Sequence, residues 1–212
     1  MFTHWFFDLD GTLARTGEDI ILAWKAAILS VGRDLSRFDE VFRIGPPLEK
    51  IVYELFDDAT PELVAKLVAA FKPFYDDSGF PNTEPYPGVP ELLAAIRRAG
   101  GKTYIVTNKR HAATQPIARK FGWDRLMDGV WSYDTFEAKY KKPDLLAKLM
   151  RDLGVAAETA VMVGDTAGDV EAGRANGMAT IGVTYGYGTP EEVTSADYVF
   201  GTALDIAKKL VK

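Results

Sequence analysis

Hydrophobic positions along this chain change period more than once. The first apolar run, His4-Trp5-Phe6-Phe7, is short and leads straight into Asp8, Asp10, Gly11 and Thr12. Short apolar runs bounded by turn residues predict buried strands. From Ile20 the spacing becomes helical: Ile20, Ile21, Trp24, Ala27, Ile28 and Val31 recur on one face, Glu18 and Asp19 suit the first turn, and Gly32 marks the end. Residues 33–46 predict a loop that closes on Ile44-Gly45-Pro46-Pro47. A short helix is predicted over 48–56. Thr60-Pro61-Glu62 supplies an N-cap, a first-turn proline and a first-turn acid for another helix running to Asp76. Nothing between 17 and 80 has the pattern of a strand.

After the Pro/Gly-rich stretch 78–88, strands and helices alternate. Helices are predicted over 90–99, 112–121, 143–153, 166–176 and 204–211. Strands are predicted over 102–107, 129–133, 160–164, 178–184 and 197–200. Such alternation implies right-handed crossovers and a mostly parallel sheet. The predicted fold class is α/β, with a Rossmann-like parallel-sheet core made from residues 1–15 and 85–212. Residues 16–84 form an inserted α-helical domain. Two linkers, at Ala14–Gly17 and within 78–88, enter and leave the insert, an arrangement suited to a hinge.

Composition narrows the function classes. The chain has 212 residues, a formal net charge of −5 and no cysteine. An acidic balance argues against a nucleic-acid partner. Without cysteine, disulfides and thiolate metal sites are ruled out. No run approaches the roughly 20 apolar residues of a membrane span, and the start lacks a signal-peptide pattern. A cytoplasmic protein, monomeric or homodimeric, is expected.

Several predicted strand ends carry polar residues, and in a parallel sheet those ends share one edge. They are Asp8 and Asp10, then Thr107-Asn108, then Asp165 and Asp169. The run Lys139-Tyr140-Lys141-Lys142 precedes the helix at 143. Taken singly, each has a structural explanation: turn formers, a β-branched strand end, helix-capping acids, a solvated charge run. Together they suit Mg²⁺ and a phosphate group. Mg²⁺ prefers oxygen ligands and often shares phosphate oxygens, and no His/Cys cluster competes for a softer metal. Lysines ahead of a helix N-terminus oppose its positive end, a conflict that a bound anion resolves.

Asp8-x-Asp10-Gly11-Thr12, Thr107-Asn108, Lys142-Pro143 and Gly164-Asp165-x-x-x-Asp169 resemble, in order, the four motifs of the haloacid dehalogenase superfamily. Gly45-Pro46-Pro47-Leu48, Tyr86-Pro87-Gly88-Val89 and the run from Gly182 to Gly188 resemble its phosphoglycolate phosphatase-like subgroup, whose insert is a helical cap. The resemblance implies a Mg²⁺-dependent phosphatase acting on a small phosphorylated metabolite. Asp8 would be nucleophile and metal ligand. Asp10 would carry the proton and offer its backbone carbonyl to the metal. Asp165 and Asp169 would complete the metal site, Asp169 directly or through water. Thr107 and Lys142 would hold the phosphoryl oxygens, helped by the Leu9 amide, and Asn108 and Arg43 are candidate substrate contacts. The usual lysine position of the third motif holds Tyr140, which leaves Lys139, Lys141 and Lys142 in reach; Lys142 is chosen because it directly precedes the helix and Pro143. Lys109 and Arg110 are further candidates for an anionic end of the substrate. An acid at position 10 favours phosphoryl transfer over dehalogenation, since a leaving alkoxide needs a proton. A phosphomutase, a 5′-nucleotidase and a pyrophosphatase are alternatives on the same core.

Overall fold

The computed structural model describes residues 1–211; residue 212, the last of the expected core segment, lies outside the described residues. Its strands are β1 (His4–Phe7), β2 (Ala14–Arg15), β3 (Glu84–Pro85), β4 (Lys102–Thr107), β5 (Gly129–Ser132), β6 (Ala160–Gly164), β7 (Ala179–Val183) and β8 (Tyr198–Phe200). Its helices are α1 (Gly17–Ser30), α2 (Phe38–Val41), α3 (Leu48–Leu55), α4 (Pro61–Asp76), α5 (Val89–Arg98), α6 (His111–Lys120), α7 (Trp123–Leu126), α8 (Lys142–Leu153), α9 (Ala167–Ala175) and α10 (Ala203–Leu210). The chain divides into two compact units: Met1–Arg15 with everything from Glu84 onward, and Thr16–Thr83.

The first unit is an α/β layer structure. Its six-stranded sheet has the order β5-β4-β1-β6-β7-β8, and every pairing is parallel. β1 lies in the middle, with Phe7 in register with Ile105 on one side and Val163 on the other. From β1 the chain builds outward to β4 and β5, then crosses back to β6. That reversal puts a topological switch point beside β1, where open α/β sheets bind ligands at their carboxyl ends. Strands buried on both faces read as unbroken apolar runs. β6 does so, as do Trp5–Phe7 of β1 and the centre of β4: Trp5, Phe6, Phe7, Ile105, Val106, Val161 and Val163 are all buried.

Helix boundaries follow local chemistry. α8 has Pro143 in its first turn and stops at Gly154, which adopts the left-handed φ of 64°. α9 opens with a capping box in which Thr166 and Asp169 satisfy each other's backbone donors. The two stretches expected as linkers also carry β structure. β2 and β3 pair antiparallel, closed by an Arg15–Glu84 ion pair at 2.6 Å. Two-residue strands have no readable alternation, so pairing between segments far apart in sequence decided them.

The second unit is helical. α1 and α4 carry its aromatic core, with Trp24 stacked on Phe71 at 4.6 Å between centroids and Phe71 on Tyr75 at 5.3 Å. Asp19, buried in the first turn of α1, accepts from the Asn82 backbone amide at 3.2 Å, the Asn82 side-chain amide at 2.9 Å and the Thr83 hydroxyl at 2.7 Å. The start and end of this unit are thereby tied together. The predicted 33–46 loop contains α2, and α7 interrupts the stretch after α6. Both are single four-residue turns, too short to show a 3.6-residue period.

Candidate active site

Asp8 follows directly on β1. Its backbone amide donates to the Val163 carbonyl at 2.9 Å, so the β6 ladder extends to it and fixes its direction. The chain then turns sharply, with the amides of Leu13 and Ala14 donating to the Leu9 carbonyl at 3.0 and 2.9 Å. This turn holds Asp10 at the same sheet edge as Asp8. Leu9 is fully buried.

Lys142, the first residue of α8, reaches into this edge. Its ammonium donates to Asp8 Oδ1 at 2.8 Å and to Asp169 Oδ1 at 2.5 Å. Lys142 is buried, whereas Lys139 and Lys141 are exposed. Asp169 uses its other oxygen to accept from the Thr166 amide at 3.1 Å and hydroxyl at 2.7 Å. It therefore caps α9 and faces Lys142 at once. Asp165, one of the two acids that could cap that helix, sits one residue ahead of the N-cap, which is Thr166. Asp165 is buried and accepts from the Thr12 hydroxyl at 3.2 Å and from the amides of Tyr187 and Gly188 at 2.7 and 3.2 Å.

Thr107, the last residue of β4, is buried and accepts the Lys109 backbone amide at 3.1 Å. Asn108 beside it is exposed. The Lys109 side chain does something the sequence did not indicate: its ammonium lies 3.0 and 3.1 Å from the two carboxylate oxygens of Asp10. Adjacency to Thr107-Asn108 was the available signal for it. Arg43 is exposed in the helical unit, where its guanidinium donates to the carbonyls of Glu40 at 3.1 Å and Phe42 at 2.8 Å.

Electrostatics make this edge unusual. Burial pushes the Asp8 carboxyl up to about 7; Lys142 pulls it back, while Asp169, Asp165 and Asp10 push it further. Burial and the Asp169 charge push Asp165 up to about 6, against the two backbone amides. Burial alone would lower Lys142, but Asp169 and Asp8 outweigh it and hold it as ammonium. Three buried carboxylates thus share one lysine. One carboxylate oxygen from each of Asp8, Asp165 and Asp169 lies within 4.8 Å of the other two. An all-oxygen, charge-deficient cluster of this kind fits a hard divalent cation, which compensates what the lysine leaves unbalanced. No helix among the described residues is long and apolar enough to cross a membrane.

Comparison with known proteins agrees with this geometry. A family model described as haloacid dehalogenase-like hydrolase matches residues 5–183. A 5′-nucleotidase of Pseudomonas aeruginosa is 32% identical over 88% of this chain and 85% of its own length. A phosphoglycolate phosphatase of Photobacterium profundum is 32% identical over 95% of this chain and 94% of its own. The crystal structure of a predicted phosphoglycolate phosphatase from Haemophilus somnus matches with a TM-score of 0.86 at 26% identity, over 98% of this chain and 97% of that one. With a matching family model across most of its length, the four motifs converging on one sheet edge and the α/β fold in common, the chain belongs to the haloacid dehalogenase-like hydrolases.

Proposed function

We propose that this hydrolase is a Mg²⁺-dependent phosphatase that cleaves a small-molecule phosphate monoester through an aspartyl-phosphate, most similar in substrate to phosphoglycolate phosphatases. One observation carries the reading: Lys142 joins Asp8 to Asp169 next to Asp165, with Asp10 two residues beyond Asp8.

Asp8, Asp165 and Asp169, with the Asp10 carbonyl, are the residues that would hold Mg²⁺. When bound, the ion lowers the repulsion between the Asp8 carboxylate and the phosphate dianion. A carboxylate oxygen of Asp8 attacks phosphorus; the P–O bond to the leaving group breaks, and Asp10 delivers a proton to that oxygen. Asp10 then takes a proton from water, which attacks the phosphorus and returns Asp8 as a carboxylate with release of inorganic phosphate. Lys142 and Thr107 hold the equatorial oxygens as charge moves through the transition state, and the Leu9 amide adds a donor. Arg43 is the candidate for a carboxylate or second phosphate of the substrate, and Asn108 is a further candidate contact.

The 5′-nucleotidase relative makes nucleoside monophosphates the competing substrate class. A panel of phosphoglycolate, sugar phosphates, pyrophosphate and 5′-nucleotides, assayed with Mg²⁺ and ranked by kcat/KM, decides between them. Absence of hydrolysis across the panel, or full activity in Asp8→Asn, overturns the proposal.

A further inference from the structure

Asp165 is enclosed by the segment that follows β7. Its Oδ2 accepts the backbone amides of Tyr187 at 2.7 Å and Gly188 at 3.2 Å, and its Oδ1 accepts the Thr12 hydroxyl at 3.2 Å. The backbone approaches so closely that side chains are excluded. A Cβ on Gly186 would lie 2.4 Å from Asp165 Oδ2, and one on Gly188 would lie 2.0 Å from the Asp165 carbonyl oxygen. The segment is anchored at its start, where the Tyr185 hydroxyl donates to the Thr12 carbonyl at 3.0 Å and its ring packs on Tyr86 at 4.8 Å.

A carboxylate offers about two lone-pair sites per oxygen. The two amides use both sites on Oδ2. The Thr12 hydroxyl uses one on Oδ1 and leaves the other. We propose that the Tyr187 and Gly188 amides restrict Asp165 to ligation through Oδ1 alone, and so favour Mg²⁺ over Ca²⁺ at this site. The inference rests on Asp165 being a metal ligand, as in the proposed function. Ca²⁺ takes about six to eight oxygens and readily accepts both oxygens of one carboxylate, whereas Mg²⁺ needs only about six at shorter range. For Asp165 to chelate Ca²⁺ with both oxygens, it must give up two charge-assisted hydrogen bonds in a buried place. Discrimination thus comes from a penalty on the wrong ion as well as a fit to the right one. Tyr187 and Gly188 are positioning residues here, acting through Asp165.

The test is calorimetric titration of the metal-free full chain with MgCl₂ and, separately, CaCl₂. Two altered proteins are compared with the unaltered chain. In Gly188→Ala the new Cβ forces the segment away from Asp165. In the other, Tyr187 is replaced by its α-hydroxy acid, which converts the donating amide into an ester oxygen and keeps the side chain. The ratio of Ca²⁺ to Mg²⁺ dissociation constants is expected to fall about tenfold in both, as befits loss of one charge-assisted hydrogen bond. Tyr187→Phe, which retains the amide, keeps the unaltered ratio. If Gly188→Ala does not fold, the ester protein decides alone. An unchanged ratio in the ester protein overturns this inference and leaves the proposed function standing. No Mg²⁺ binding by the unaltered chain overturns the metal assignment on which both depend.

Discussion

The Lys109 ammonium grips both carboxylate oxygens of Asp10, at 3.0 and 3.1 Å, while the Lys109 backbone amide is bound to Thr107. One residue of the loop after β4 thereby links two of the four motifs. The pair is largely buried, with 6% of the Lys109 side chain and 18% of the Asp10 side chain exposed, so it is not an ordinary surface contact. Lys109→Met should lower kcat about tenfold to a hundredfold on alkyl phosphates, within the range that positioned proton transfer contributes. Hydrolysis of p-nitrophenyl phosphate, whose leaving group hardly needs a proton, should fall much less. Equal losses on both substrates would show that Lys109 does not act through Asp10.

Among the three clustered lysines, only Lys142 is buried against the carboxylates. Lys142→Met should reduce kcat by about a hundredfold or more, on the scale of losing one preorganised electrostatic contact. Lys139→Met and Lys141→Met should stay within about twofold, as exposed substitutions generally do. Steady-state kinetics on the best panel substrate distinguishes them.

The two acids after β1 should fail differently. Asp8→Asn should leave no phosphate covalently trapped on the chain after acid quench with labelled substrate. Asp10→Asn keeps the backbone carbonyl, so Mg²⁺ affinity should hold while turnover drops about a hundredfold to ten-thousandfold, the usual contribution of a general acid. Intact turnover in Asp10→Asn would remove it from the proton path.

Metal-free protein should lose stability as pH rises. Asp8 is pushed up to about 7 and Asp165 up to about 6, both above the roughly 4 of an unfolded aspartate. The native state therefore binds more protons than the unfolded chain between those values. The stability this supplies is complete below about pH 4 and disappears as pH climbs through 6 to 7. Mg²⁺ should then raise the thermal midpoint strongly at pH 8 and little at pH 5, because its ligands must be deprotonated. A metal-free midpoint that climbs between pH 5 and 8 would contradict the charge balance described for this cluster.

In the helical unit, Asp19→Ala removes both acceptor oxygens from three donors and should cost about 2–3 kcal/mol by urea unfolding, as expected when donors to a buried carboxylate lose their partner. Asp19→Asn, which retains one oxygen acceptor, should cost less.

Much of this molecule was legible in its sequence. The apolar runs at 4–7, 102–107 and 160–164 read as buried strands, and the polar residues directly after them, Asp8, Asn108 and Asp165, fall at the strand ends that share one sheet edge. Helical periodicity between 17 and 76, with no strand pattern, marked out the helical unit. These features are local: they follow from side-chain period and from the turn chemistry of a few adjacent residues. Lys142 was chosen over its neighbours because it directly precedes Pro143 and the helix, again a local cue. What tertiary structure alone decided are the partners. Whether Lys109 would meet Asp10, whether Thr12 would reach Asp165, and whether the amides of Tyr187 and Gly188 would close on the same carboxylate depend on loops from different strands arriving at one edge. The short β2–β3 pair belongs with them, since its two strands lie far apart in sequence. Hydrogen bonds and ion pairs between distant segments leave no periodic trace in a sequence, because each is fixed by the three-dimensional path of the backbone between them.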